Sequence, residues 1–207
     1  MRGYRGILIF CCLLIWLSGS ATVIGAQSGG SLYFAETGHW VRGEFLNYYQ
    51  STSDPLLLLG YPITDELIDP INGQKTQYFQ RARLDLEYEE GEDPVIRRAP
   101  LGRLIYEEGS PPASVPINSF ACKHFPKTGK DVCYAFLQFY SANNGPDAFG
   151  EPISDLEYQD GRYVQYFEYA RMEWRPDSTG GQRVALTDLG RIYFDTRMGN
   201  PQALQPD

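Results

Sequence analysis

Beyond the N-terminal stretch, apolar residues fall in short clusters, and the period within the clusters changes along the chain. Phe45, Leu46, Tyr48 and Tyr49 stand at helical spacings, as do Phe136, Leu137, Phe139 and Tyr140. Each set predicts a short amphipathic helix. Further on the period shortens. "LEYQ" and "RYVQYF" flank Asp160-Gly161, a pair that favours a two-residue type I′ hairpin turn. Asn72-Gly73, preceded by Pro70, is expected to turn the chain in the same way earlier. A third strand is predicted at Arg83–Tyr88 and again at Arg171–Arg175. Its alternation puts Leu84, Leu86 and Tyr88 on one face and Asp85 and Glu87 on the other, which predicts a solvated acidic face. The segments Leu101–Tyr106 and Leu189–Phe194 follow Pro100 and Thr187, which fit helix starts.

These clusters occur twice in the same order. Tyr33–Val41 matches His124–Val132, Glu44–Tyr49 matches Ala135–Tyr140, and Leu59–Glu66 matches Phe149–Leu156. Gln77–Glu87 matches Gln165–Arg175, and Leu101–Tyr106 matches Leu189–Phe194. The order predicts a tandem duplication with a boundary near the Pro- and Ser-rich Glu107–Ser119. The expected organisation is a signal peptide over 1–26, one unit over 27–109, a linker over 110–118, a second unit over 119–199 and a flexible tail over 200–207. One unit alone buries a low fraction of its surface. Two docked units sharing a core, an α+β body with pseudo-twofold character, are therefore expected. Within each unit, Gly-x-Pro-Ile-(Thr/Ser)-Asp reads as a helix-to-strand corner. Gly60 and Gly150 can take positive φ, and Pro62 and Pro152 fix φ. Thr64 with Asp65, and Ser154 with Asp155, supply oxygens for unpaired N–H groups of the turn.

The N-terminus has the form of a secretory signal. Arg2 and Arg5 precede an uncharged stretch from Ile7 to Leu17 and then small residues, with cleavage sites at Ala21 or Ala26. The competing reading is a retained membrane anchor. Cys11-Cys12 makes only an incomplete lipidation motif, because Phe10 stands where a small residue is expected. Formal charge is 18 Lys and Arg against 26 Asp and Glu, net −8, and removal of the signal takes two arginines, giving 16 − 26 = −10. That balance disfavours nucleic acid and an anionic membrane surface as partners. After cleavage two of four cysteines remain, and an exported chain is expected to join Cys122 to Cys133.

Leu59-Gly60-Tyr61-Pro62 with Asp65-Glu66, and Phe149-Gly150-Glu151-Pro152 with Asp155, resemble the LGFP-repeat group of bacterial envelope proteins. Tyr78-Phe79 and Tyr166-Phe167 fill the place of the Phe-bearing hairpin of that group. The resemblance covers nearly all of the mature chain and implies wall association without a defined reaction. The copies differ at Glu66 against Leu156, Leu59 against Phe149 and His39 against Lys130.

Catalytic patterns are sparse. His39 and His124 occupy unequal positions in the two copies, and no Gly-x-Ser-x-Gly or His-Glu-x-x-His is present. The carboxylates Asp85, Glu87 and Glu173 are candidates for glycoside hydrolysis. No cofactor or metal is expected, and no phosphate or calcium loop is recognisable. The binding signal is aromatic and basic: Tyr78, Arg81, Arg83, Tyr166, Arg171 and Trp40, with Trp174 adding surface. Aromatic faces stack on sugars and Arg grips carboxylates. Phe79 and Phe167 are expected in the core. The sequence therefore predicts an exported, non-catalytic module outside the cytoplasmic membrane that binds cell-wall or extracellular glycan. The alternatives are a structural or protein-interaction domain of the envelope and a carboxylate-dependent hydrolase.

Overall fold

A computed structural model describes residues 30–70, 72–88, 90–107, 113 and 120–206. The signal segment with Arg2, Arg5, Cys11 and Cys12, and most of the linker, lie outside the described residues. Among the described residues no helix is long and apolar enough to cross a membrane.

The fold is mixed α+β with antiparallel sheets, and the same element order occurs in both halves. The first half opens with the hairpin β1 (Ser31–Phe34) and β2 (His39–Arg42), then α1 (Gly43–Ser51) and α2 (Pro55–Leu58). A meander follows, β3 (Leu67–Ile68), β4 (Lys75–Tyr78), β5 (Arg83–Glu87) and β6 (Val95–Arg98), and then α3 (Leu101–Ile105). The second half runs β7 (Cys122–Phe125), β8 (Lys130–Cys133), α4 (Tyr134–Ala142), α5 (Gly145–Ala148), β9 (Glu157–Gln159), β10 (Arg162–Tyr166), β11 (Arg171–Trp174), β12 (Val184–Leu186) and α6 (Leu189–Tyr193). Each meander is a four-stranded sheet in chain order. The fourth strands, the opening hairpins and the short α2 and α5 were not predicted. They are too brief for periodicity to register.

Local chemistry explains the turns. Gly38 (φ 78°) and Gly129 (φ 67°) close the two opening hairpins. Asp160 (φ 51°) and Gly161 (φ 79°) are both left-handed, as a type I′ turn requires. Asn72-Gly73 differs from its expected tight turn. Only Gly73 is left-handed, and the loop spans Asp69 to Gln74, whose N–H groups at Asp69 and Gly73 bond the carbonyls of Gln74 and Asp69. The Asn72 side chain accepts from Gln74 N–H at 3.0 Å. Gly60 and Gly150 have φ 78° and 76°, and Pro62 and Pro152 bridge to Phe79 and Phe167. The Thr64 and Ser154 hydroxyls accept from a neighbouring strand, at Tyr78 N–H (3.1 Å) and Tyr166 N–H (2.9 Å), and the Ser154 hydroxyl also donates to Asp155 O in its own turn (2.7 Å). Cys122 and Cys133 stand opposite each other in the β7–β8 register and form a disulfide beside the start of α4.

One continuous apolar cluster runs through both halves, from Phe34, Phe45, Tyr49 and Phe79 to Phe125, Phe139, Tyr140, Phe149 and Phe167. Rings stack within each half, Tyr49 on Phe79 at 5.6 Å and Tyr140 on Phe167 at 5.4 Å. The halves also exchange their terminal helices. Gly102 of α3 lies so close to the carbonyls of Phe167 and Ala170 that a Cβ would collide with them, and Gly190 of α6 lies likewise against Phe79 and Ala82. Arg103 N–H donates to Glu168 O (3.2 Å), and Arg191 N–H donates to Gln80 O (3.0 Å).

The C-terminus departs from the expected flexible tail. A π-helical turn (Phe194–Met198) and a 3₁₀ turn (Pro201–Leu204) extend the chain, and Ala203 and Leu204 pack on Ile63, Tyr78 and Phe194.

Candidate functional site

The six residues singled out for binding do not converge. Tyr78 is 0 % exposed, its ring edge-on to Phe194 at 5.1 Å. Burial pushes its hydroxyl up to about 12, and that hydroxyl has no hydrogen-bond partner among the described residues. Arg83 is buried beside it, paired with Asp69 at 3.1 Å and Asp85 at 2.7 Å. Tyr166 is buried against Tyr106 of the other half, centroids 4.9 Å apart. Arg171 bonds Glu173 (2.6 Å) and Thr187 (3.0 Å). Arg81 donates to the carbonyls of Leu56 and Leu57 at the end of α2 and pairs with Asp188 at 3.1 Å. Trp40 lies on the first hairpin against Tyr33 (5.1 Å), with Arg42 5.1 Å above its ring. Five of the six are therefore internal ties. The reason is topological: the face of each sheet that bears these side chains is covered by the helical segment that ends the other half.

The same covering overturns the solvated acidic face at Asp85 and Glu173, which are buried, whereas the Glu87 side chain stays 42 % exposed and pairs with Arg97 at 3.1 Å. Asp85 accepts from Thr76 (2.8 Å) as well as Arg83. Glu173 is raised by burial, but hydrogen bonds from Thr187 and Arg175 and the charges of Arg171 and Arg175 outweigh that and hold it below the ordinary carboxylate range. Both are acceptors locked in networks, not a poised pair. His39 is buried 4.0 Å from Asp65, and His124 is exposed 3.0 Å from Asp131. Among the described residues no group of three or more His, Cys, Asp or Glu could hold a metal.

An open cleft of about 520 Å³ lies elsewhere, in the second half. Its apolar walls are Tyr134, Phe136, Leu156, Tyr163 and Trp174, and its polar groups are Asp131, Asp155 and Gln165. Ala113 borders it and bonds Leu156 O through its N–H at 2.6 Å. The sheet register builds an aromatic row here. Tyr158 pairs with Tyr163 across β9 and β10, and the β10–β11 register, continued one step, sets Tyr163 opposite Trp174. Opposite residues in antiparallel strands share a face, about 5 Å apart. Trp174 also walls a smaller adjoining hollow of about 280 Å³ that contains Arg183, whose guanidinium stands 6.0 Å from the Trp174 ring centre.

Gln165 fixes the floor. It is 1 % exposed, and its Nε2 donates to Asp131 O (2.9 Å) and Ser154 O (3.1 Å). Both amide hydrogens are thus spent, and Oε1 is turned away from those carbonyls with no donor to it among the described residues. Tyr134 forms the rim with φ 53°, a left-handed conformation that a bulky residue adopts only at a cost.

The first half fills the matched positions differently. Trp40, Gly43, Glu66, Lys75 and Leu86 stand where the second half has Asp131, Tyr134, Leu156, Tyr163 and Trp174. Lys75 is ion-paired to Glu66, and Arg42 approaches Asp65 at 3.9 Å. The matched amide of Gln77 is sealed beneath, its Oε1 buried without a partner. Sequence reasoning noticed Trp174 and the Glu66 to Leu156 difference but not that they face one cleft. The available signal was the set of matched positions at which the two halves differ.

No protein-family model matches the chain, and a search of curated proteins returns no match either.

Proposed function

We propose that the chain is an exported, non-catalytic binding module, descended from a duplicated unit, that holds cell-wall or extracellular glycan in the second-half cleft. The carrying observation is the aromatic row Tyr158, Tyr163 and Trp174 beside a buried, unengaged amide oxygen. Sugars offer an apolar C–H face to aromatic rings and hydroxyl donors to such acceptors. The Leu-Gly-x-Pro resemblance and the secretory form of the N-terminus support the same location. The duplication explains the asymmetry: one copy keeps an ion pair, and the other exchanges it for apolar and aromatic side chains.

The test is co-sedimentation of the oxidised mature protein with insoluble bacterial cell wall, with and without competing soluble glycan. Saturable, competed pelleting that is lost in Trp174→Ala and Tyr163→Ala while folding is kept supports the proposal. Pelleting unchanged in both variants places the site elsewhere. No pelleting favours the protein-interaction reading.

A further inference from the structure

Resting on the glycan reading, we infer that the cleft selects a sugar carrying a free amino group and rejects acidic sugars. Among the described residues lining the cleft, the ionised groups are both carboxylates, Asp131 and Asp155, and the donors are neutral: the Tyr134 and Tyr163 hydroxyls and the Trp174 indole N–H. Gln165 spends both N–H groups on backbone carbonyls and leaves only Oε1. Asp131 engages His124 through Oδ1 and keeps Oδ2, while Asp155 engages Lys130 through Oδ2 (2.8 Å) and keeps Oδ1. No Lys or Arg is among the described residues lining the cleft.

A ligand that meets these carboxylates must therefore bring donors. Hydroxyls satisfy that requirement, and an ammonium satisfies it with a charge-assisted bond to a carboxylate oxygen. A uronate brings a carboxylate to a cleft whose ionised lining groups are carboxylates, where like charge and unmatched lone pairs at Asp131, Asp155 and Gln165 oppose it. Arg83 and Arg171 are consumed by Asp69, Asp85 and Glu173, and Arg183 stands outside the cleft, in the adjoining hollow. The aromatic row restricts the partner further, since a bare cationic chain offers no ring face to stack.

The experiment is Trp174-containing, full mature protein titrated by fluorescence and calorimetry with four soluble probes: hexaglucosamine, hexa-N-acetylglucosamine, hexagalacturonate and pentalysine. The expected order is hexaglucosamine about tenfold tighter than its acetylated form, the difference between a charge-assisted and a neutral bond, with no measurable binding of the other two. Asp155→Asn and Asp131→Asn should shrink that ratio while acetylated-oligomer binding persists. Equal binding of the aminated and acetylated oligomers, tighter hexagalacturonate, or pentalysine binding as well as hexaglucosamine overturns the inference but leaves a ligand cleft. If neither hexosamine oligomer binds and the wall does not pellet the protein, the glycan reading falls with it.

Discussion

At the scale of single residues, two tyrosines carry opposite lessons. Tyr134 begins α4 in the left-handed region, where the matched residue in the first half is Gly43 at φ 52°. A bulky side chain there costs about 1–2 kcal/mol. Tyr134→Gly is therefore expected to hold stability or raise it by up to about 1 kcal/mol in urea unfolding, while weakening wall binding, because the rim ring is lost. Loss of stability with unchanged binding would make Tyr134 a packing residue. Tyr78 is the reverse case, a hydroxyl buried without a partner. Tyr78→Ala, an obvious binding test from sequence, would instead open a core cavity and cost about 3–5 kcal/mol. Tyr78→Phe is expected to be neutral or stabilising by about 1 kcal/mol. Burial also raises Tyr49, Tyr78 and Tyr140 to about 12 from 10.0. A raised folded value gives stability that is complete below pH 10 and is lost as pH rises through about 12. Unfolding followed across pH 9 to 12 should show that loss, and it should be shallower in Tyr78→Phe.

At the scale of elements, the two sheets use different polar networks on the face each presents to the other half. In β5, Arg83 is the cation between Asp69, 1 % exposed, and Asp85. Arg83→Ala removes the cation between two buried carboxylates and is expected to cost about 3–5 kcal/mol. In β11 the matching Arg171→Ala should cost less, because Glu173 keeps Arg175 at 3.0 Å and Thr187 at 2.6 Å. Chemical unfolding of both variants at pH 7 checks the ranking. Acid tests the same site, since a depressed Glu173 contributes stability above the unfolded carboxylate value, lost as pH falls through the folded one. The first three strands of each meander were legible, because period and turn residues are local; Asp160-Gly161 is the clearest case. Which face was covered was not. Tyr78, Arg83 and Asp85 read as a half-exposed strand, yet the helical segment that buries them arrives from the far end of the chain. The cleft was legible only as scattered differences between the halves, such as Lys75 against Tyr163, whose convergence depends on strand register.

At the scale of the whole molecule, the reciprocal exchange of α3 and α6 makes the halves mutually dependent. Gly102 sits against the carbonyls of Phe167 and Ala170, and Gly190 sits against those of Phe79 and Ala82. Both contacts are backbone to backbone, so neither neighbour can rotate aside as a side chain would. Arg103 reinforces one contact through Glu168 at 2.6 Å, and Tyr106 bonds Glu157 across the same boundary at 2.8 Å. A methyl group at Gly102 must push α3 off the second half, exposing Tyr166 and its polar network together. Overpacking of this kind costs about 1–3 kcal/mol when the structure can relax, and more is expected here because the clash is with main chain. Gly102→Ala should therefore lower the stability of both halves in one cooperative transition, seen as coincident loss of near- and far-ultraviolet circular dichroism. If the halves were independent, the variant would melt in two steps, with the first half's Tyr49 and Phe79 stack persisting after the second had opened. Gly190→Ala provides the reciprocal arm. A single transition in both variants would establish that the cleft, though its described walls are second-half residues apart from Ala113, is held in shape by the whole chain.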